Sequence, residues 1–211
     1  MNNLGHRTNF DHITESLLPA YSNGLITSTA GKVSFVHDRV RLAFYGQLSD
    51  TTKYRIHIVV GRYIMEQREQ ILQAAEDNIS LTTTSSDSDS KYDNLLLEGL
   101  YHLNRGIPLL FDERADEKVA LHYSSLNKQA AEQARQAIAY ESSLSFLRSS
   151  VELFKYAEQG NTVWSEEYSA YGFSLYALLC EVLVLNHMYE EAKEKVASLE
   201  LQCRTDLQRA T

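Results

Sequence analysis

The sequence predicts a mainly α fold: a winged-helix-like N-terminal part with one short β-hairpin, followed by antiparallel helical hairpins of tetratricopeptide-like (TPR-like) type. Three observations carry this prediction. Only two prolines, Pro19 and Pro108, occur in 211 residues, so long stretches are open to helix. Apolar residues recur at steps of three and four along most of the chain after residue 92. Only Ile26 to His37 shows β-prone residues beside a glycine-containing turn. The chain divides into a winged-helix-like remnant (1–52), a connecting helix (53–81), a polar linker (82–91) and the TPR-like region (92–211). Hydrophobic residues are 44% and charged residues 23% of the chain, enough to bury a core and too apolar for wholesale disorder.

The first helix spans Thr14 to Ile26, with Leu17, Leu18, Tyr21 and Leu25 at helical spacing and a stop near Asn23-Gly24. Lys32 to Val36 alternates and forms the hairpin's second strand. Asp38 then caps a helix whose inner face is Val40, Phe44 and Leu48. Ile56, Val60, Ile64 and Ile71 define the next helix, from about Tyr54 to Ala75. Thr82 to Ser90 is a run of small polar and acidic residues that cannot bury apolar surface, and it reads as a solvated loop.

Beyond it, Leu95, Leu96, Leu97, Leu100 and Leu103 mark a helix that Asn104-Arg105-Gly106 should stop, with Pro108 barring continuation. Asp112 to Glu132 carries Val119, Tyr123, Leu126 and Ala130. Ala137, Tyr140, Leu144, Leu147, Val151 and Phe154 form an apolar seam suited to a neighbouring helix. Gln159-Gly160-Asn161 is a turn. The helix through Tyr168, Leu175 and Leu185 is apolar on more than one face. A last amphipathic helix runs from Tyr189 to Leu201, with Glu191 paired to Lys195 one turn on. No 34-residue self-match accompanies these hairpins.

Composition excludes several classes. Cys180 and Cys203, the only cysteines, have no CxxC spacing, which argues against a disulfide framework or a zinc site and for a reducing compartment. Met1 to Phe10 lacks a signal-peptide core, and no run approaches the roughly 18 apolar residues of a membrane span, so a cytoplasmic chain without a membrane partner is expected. The net charge of −8 divides into +2 over residues 1–75 and −10 over residues 76–211. The acidic body argues against general nucleic-acid binding.

Motifs of catalysis are missing. Gly31-Lys32 lacks the rest of a P-loop, and HExxH, GxSxG and kinase triplets do not occur. The seven histidines show no metal-ligand spacing, so no metal site is assigned. The adjacent acids Glu166-Glu167 and Glu190-Glu191 point about 100° apart on a helix and read as solvated faces. Trp164 and the tyrosines read as core and helix-crossing residues. His37-Asp38 is different: an imidazole and a carboxylate at the junction of hairpin and helix, where exposed backbone N–H groups favour anions.

Phe35-Val36-His37-Asp38-Arg39-Val40-Arg41-Leu42-Ala43-Phe44-Tyr45 resembles the F-x-H-D-R-V-Q-Q-A-A-Y signature of signalling proteins of the STAND ATPase class. These are multidomain sensor kinases, histidine or serine/threonine, with a central AAA-type ATPase. Ile56-His57-Ile58-Val59-Val60-Gly61-Arg62-Tyr63-Ile64 resembles their L-H-x-x-I-G-R-x-L stretch, and His102-Leu103-Asn104-Arg105-Gly106 their h-L-N-x-G element. Glu113-Arg114, Ala139-Tyr140, Trp164 with Tyr168, and Tyr189 to Ala192 follow in the family's order, so the likeness spans about residues 20–201. Arg41-Leu42 and Ala43-Phe44 depart from Gln-Gln and Ala-Ala, and Leu185-Asn186-His187 stands where the family has a glycine.

The resemblance implies a regulatory, protein-interacting part of such a kinase, without its ATPase core or kinase domain and without catalytic residues of its own. It implies that His37 and Asp38 sense nucleotide, touching an ADP phosphate only where an ATPase core supplies the rest of the site, so no cofactor is expected for the chain alone. The implied partners are proteins or other domains of the parent. Two alternatives compete: the parent's ATP-dependent kinase activity, and weak DNA binding through Lys32, Arg39, Arg41, Lys53 and Arg55.

Overall fold

A computed structural model describes residues 17–29, 32–78, 86–112, 116–159 and 164–210. The backbone is mainly helical, with one two-stranded antiparallel hairpin and a series of helical hairpins. It clusters into two units, Met1–Lys53 and Tyr54–Thr211.

In the first unit residues 17–22 are helical, and Gly24 ends them in the left-handed conformation (φ 65°). Leu25 N–H donates to the Ala20 carbonyl (2.9 Å) and Gly24 N–H to Tyr21 (3.0 Å), which satisfies the last helical carbonyls. Residues 14–16 of the expected helix lie outside the described residues. Strands β1 (Ile26–Thr29) and β2 (Lys32–Phe35) pair with Ile26 opposite Phe35 and Thr29 opposite Lys32. Only Ile26 of these strands is buried, so the alternation of β2 does not produce an inner face within this unit. Helix α1 (Asp38–Gln47) follows. Its half-buried residues are Val40 and Tyr45, with Leu48 just beyond, and Phe44 lies outward, its ring 6.0 Å from that of Phe35. Phe44 is thus accommodated at the surface.

The second unit begins within α2 (Asp50–Asn78), which is longer at both ends than its apolar spacing predicts. Helix α3 (Ser86–Asp112) corrects two expectations. It begins inside the stretch read as linker, whose residues 86–90 are helical; serine and aspartate suit a first helical turn. It also runs through Asn104-Arg105-Gly106 and contains Pro108. The proline removes one backbone hydrogen bond, but its ring is exposed, while Leu103, Ile107, Leu109 and Leu110 are buried around it and hold the helix on course.

Helices α2 and α3 approach through glycines. A Cβ at Gly61 would stand 2.7 Å from Leu103 Cγ, one at Gly99 2.7 Å from Met65 Sδ, and one at Gly106 2.4 Å from Ile58 Cγ1. Any larger residue would separate the helices.

Helix α4 (Glu117–Gln136) starts five residues later than expected; Asp116 caps it, accepting from Lys118 N–H at 3.0 Å. Helix α5 (Tyr140–Ala157) packs on it, with Ala137 left in the turn. Small residues line the seam: Ala120, Ser124, Ala131 and Ala134 face Ser143, Ser150 and Ala157, all buried. Ser124 Oγ donates to the Ser150 carbonyl (2.8 Å), Ser150 Oγ to the Ser124 carbonyl (2.7 Å), and Ser143 Oγ to the Ala131 carbonyl (2.8 Å).

Helices α6 (Glu166–Leu185) and α7 (Tyr189–Ala210) form the next hairpin. Leu147, Phe154, Leu175, Leu179, Val182 and Leu183 fill the largest core cluster, with Trp164 against Phe154 (ring centres 5.6 Å) and Tyr176 (5.2 Å). The expectation that no segment is long and apolar enough to span a membrane fails for α6, whose mean hydropathy reaches 1.5. Packing against α5 on one side and α7 on the other accounts for part of that apolarity, while Phe173 and Val184 are exposed. Glu191 pairs with Arg148 of α5 (3.0 Å) rather than with Lys195.

The two hairpins share one turn. Ile138 and His187, 49 residues apart, both adopt the left-handed conformation (φ 62° and 61°). Ile138 N–H donates to Arg135 and Ala139 N–H to Ala134; His187 N–H donates to Val184 and Met188 N–H to Leu183. Tyr-Glu opens the second helix each time, as Tyr140-Glu141 and Tyr189-Glu190.

Candidate functional site

His37 and Asp38 come out in reversed roles. His37 occupies the N-cap position with extended backbone (φ −138°), and its side chain makes no capping bond. Its carbonyl accepts Val40 N–H (3.0 Å) and Arg41 N–H (3.3 Å). Asp38 is the first helical residue, and its Oδ1 meets Arg41 Nε at 3.3 Å with most of the side chain in solvent. The carboxylate therefore complements the helix dipole and occupies the place an anion would seek. This junction alone does not fit a nucleotide phosphate, because its own carboxylate repels one. Of the basic residues weighed for DNA, Arg41 and Lys53 have carboxylate partners, Asp38 and Asp50 (3.1 Å), and Lys53 also lies over the Tyr45 ring.

The polar group that sequence reading missed lies between α2 and α3. His57 Nδ1 and His102 Nδ1 are 2.8 Å apart, with ring centres 5.0 Å apart. His57 is buried and His102 half-buried. Tyr101 meets His102 edge-on (5.4 Å) and carries the Arg105 guanidinium over its ring (4.3 Å). Burial lowers both imidazoles below their ordinary range. The neighbouring imidazole and Arg105 add to this at His57, whereas Glu98 pulls His102 partly back. The pair is separated by 45 residues in sequence, which is why spacing gave no hint of it.

Two residues on, Asn104 and Asn127 exchange amide hydrogen bonds (2.7 and 3.0 Å), joining α3 to α4. Deeper in, Tyr171 OH completes a hydroxyl cluster with Ser124 Oγ (2.8 Å) and Ser150 Oγ (3.4 Å). An open groove of about 490 Å³ runs beside α5, between Glu141, Arg148 and Glu152 and the Asn186–Met188 turn. Its mixed charges favour neither an anion nor a cation. Among the described residues no three histidine, cysteine or acidic side chains converge as a metal would require.

The pairing of His57 with His102, Gly61 with Leu103 and Ile58 with Gly106 brings together two sequence stretches singled out separately. They are the two faces of one helical seam. No protein-family model, curated protein or solved structure matches the chain.

Proposed function

We propose that the chain is a non-catalytic regulatory and protein-interaction module of a STAND-type signalling kinase. In this reading the hairpin β1–β2 with α1 is the end of a winged helix, and α4–α7 are TPR-like hairpins that engage a cytoplasmic protein or another domain of the same machine. The observation that supports it best is the α2–α3 seam. The stretches resembling two successive family elements, Ile56–Ile64 and His102–Gly106, supply residues that fit against each other. The shared turn of the α4–α5 and α6–α7 hairpins supports a repeat-like array, an architecture whose extended surfaces serve binding.

His37 and Asp38 would take part in nucleotide sensing only beside an ATPase core, since their junction lacks a phosphate cradle of its own. The test is direct. Purified chain should neither hydrolyse ATP nor phosphorylate itself, and it should bind an isolated AAA-type ATPase module of this class, with His37→Ala weakening the complex when ADP is present. Turnover of ATP abolished by His37→Ala, or no binding to such modules with or without ADP, would overturn the reading.

A further inference from the structure

We propose that His57 and His102 form a proton-operated latch that holds α2 against α3 and releases when the pair takes up a second proton. The chemistry follows from two facing Nδ1 atoms at 2.8 Å. A hydrogen bond there requires one Nδ1 to carry a proton and the other a lone pair. A first added proton goes to the Nε2 of the donor ring, which then donates as an imidazolium and keeps the bond. A second added proton occupies the remaining Nδ1 lone pair. Two N–H groups then face each other, the bond is lost and two cations repel.

The surroundings make the second proton disruptive. His57 is 6% exposed, so its imidazolium would have little water around it. On α3, Arg105, one turn beyond His102, opposes further positive charge at both rings, and Glu98, one turn before, offsets this at His102. Tyr101 lies edge-on to His102 and anchors Arg105 nearby. The seam has no slack, since Gly61, Gly99 and Gly106 already place the two helices at their closest approach. Separating the imidazoles therefore separates Ile58 and Met65 from their contacts with α3. The latch is independent of the signalling role proposed above and would operate in any cellular setting that acidifies.

Amide hydrogen exchange of the full chain tests it, with pH 7.5 and pH 5.0 compared after correction for intrinsic exchange rates. Protection in α2 and α3, around Ile58 and Leu103, should fall several-fold, and by more than anywhere in α5 and α6. Protection in α5 and α6, around Leu147 and Leu175, should hold. His102→Gln keeps a neutral hydrogen-bonding group and should reduce the acid-induced loss to about twofold or less. Imidazole NMR titration of the wild-type chain supplies a readout that needs no variant: the two rings should titrate in coupled steps, one of them below the ordinary histidine range. Equal loss of protection throughout the unit would sink the proposal. So would an undiminished loss in His102→Gln, or two rings titrating independently near 6.5.

Discussion

Replacing Gly172 with alanine isolates one packing constraint in α6. An ideal Cβ at this position would lie 2.8 Å from Phe154 Cζ, 2.8 Å from Trp164 Cε3 and 2.9 Å from Trp164 Cδ2. Carbon atoms prefer about 3.5–4.0 Å, so the methyl group would have to displace three ring atoms by more than half an ångström each. Neither ring can yield freely. Trp164 is held between Phe154 and Tyr176, and its backbone N–H bonds to Gln202 Oε1 (3.3 Å). Overpacking of this kind costs about 1–3 kcal/mol, and the rigid partners place it near the upper end. Alanine's better helix propensity returns about 1 kcal/mol. The net loss is then about 1–2 kcal/mol. Trp164 is the only tryptophan, so urea unfolding followed by its fluorescence reports this core directly. With a slope of about 2 kcal/mol per molar, the midpoint should fall by about 0.5–1 M. Ala177→Gly, at an exposed position of the same helix, provides the contrast, since there the loss of alanine should cost about 1 kcal/mol by propensity alone. A Gly172→Ala variant as stable as the parent, or more so, would refute the packing argument.

Three other perturbations follow. Ile138 is a β-branched residue in the left-handed conformation and 73% exposed, so Ile138→Gly should relieve about 1 kcal/mol of strain, read as a rise in thermal midpoint. Ser150→Ala removes the donor to the Ser124 carbonyl in a fully buried seam and should cost about 1–3 kcal/mol in urea unfolding, whereas Ser145→Ala on the exposed face should change stability by less than about 0.5 kcal/mol. Burial pushes the Tyr171 and Tyr176 hydroxyls and the Cys180 thiol above their ordinary ionisation ranges, so the folded state keeps them neutral where the unfolded chain would ionise. That contribution is fully present below about pH 8.5 and is lost as pH rises above the unfolded values of about 8.5–10. Unfolding midpoints flat from pH 9 to pH 11 would contradict it.

Apolar spacing located helices well where one face meets a core. The series Tyr140, Leu144, Leu147, Val151 and Phe154 lies within α5 as expected, and Leu96, Leu100 and Leu103 are buried in α3. It failed where a local signal was outweighed by burial. Gly106 reads as a helix stop, but its missing side chain serves the contact with Ile58, and the leucines after Pro108 carry the helix onward. Asp38 reads as a cap, yet the extended residue is His37. The turn shared by the two hairpins escaped notice because its 49-residue offset is written mainly in backbone conformation: Ile138 and His187 share φ but no side-chain chemistry. For the same reason His57 and His102 could be found only once two separate helices were brought side by side.

The reciprocal bonds between Ser124 and Ser150 determine which motions the α4–α5 hairpin allows. Each hydroxyl is tied to the main chain of the opposite helix, so the register is set by backbone positions and not by the shapes of neighbouring side chains. Sliding α5 by one turn, about 5.4 Å, would leave two hydroxyls and two carbonyls without these partners inside an apolar interior. Tyr171 OH joins the same cluster from α6, so such a slide would also break its contact with Ser150 Oγ (3.4 Å) while leaving its bond to Ser124. Transmission of a displacement through this part of the chain therefore favours tilting of whole hairpins over gliding of one helix along its neighbour.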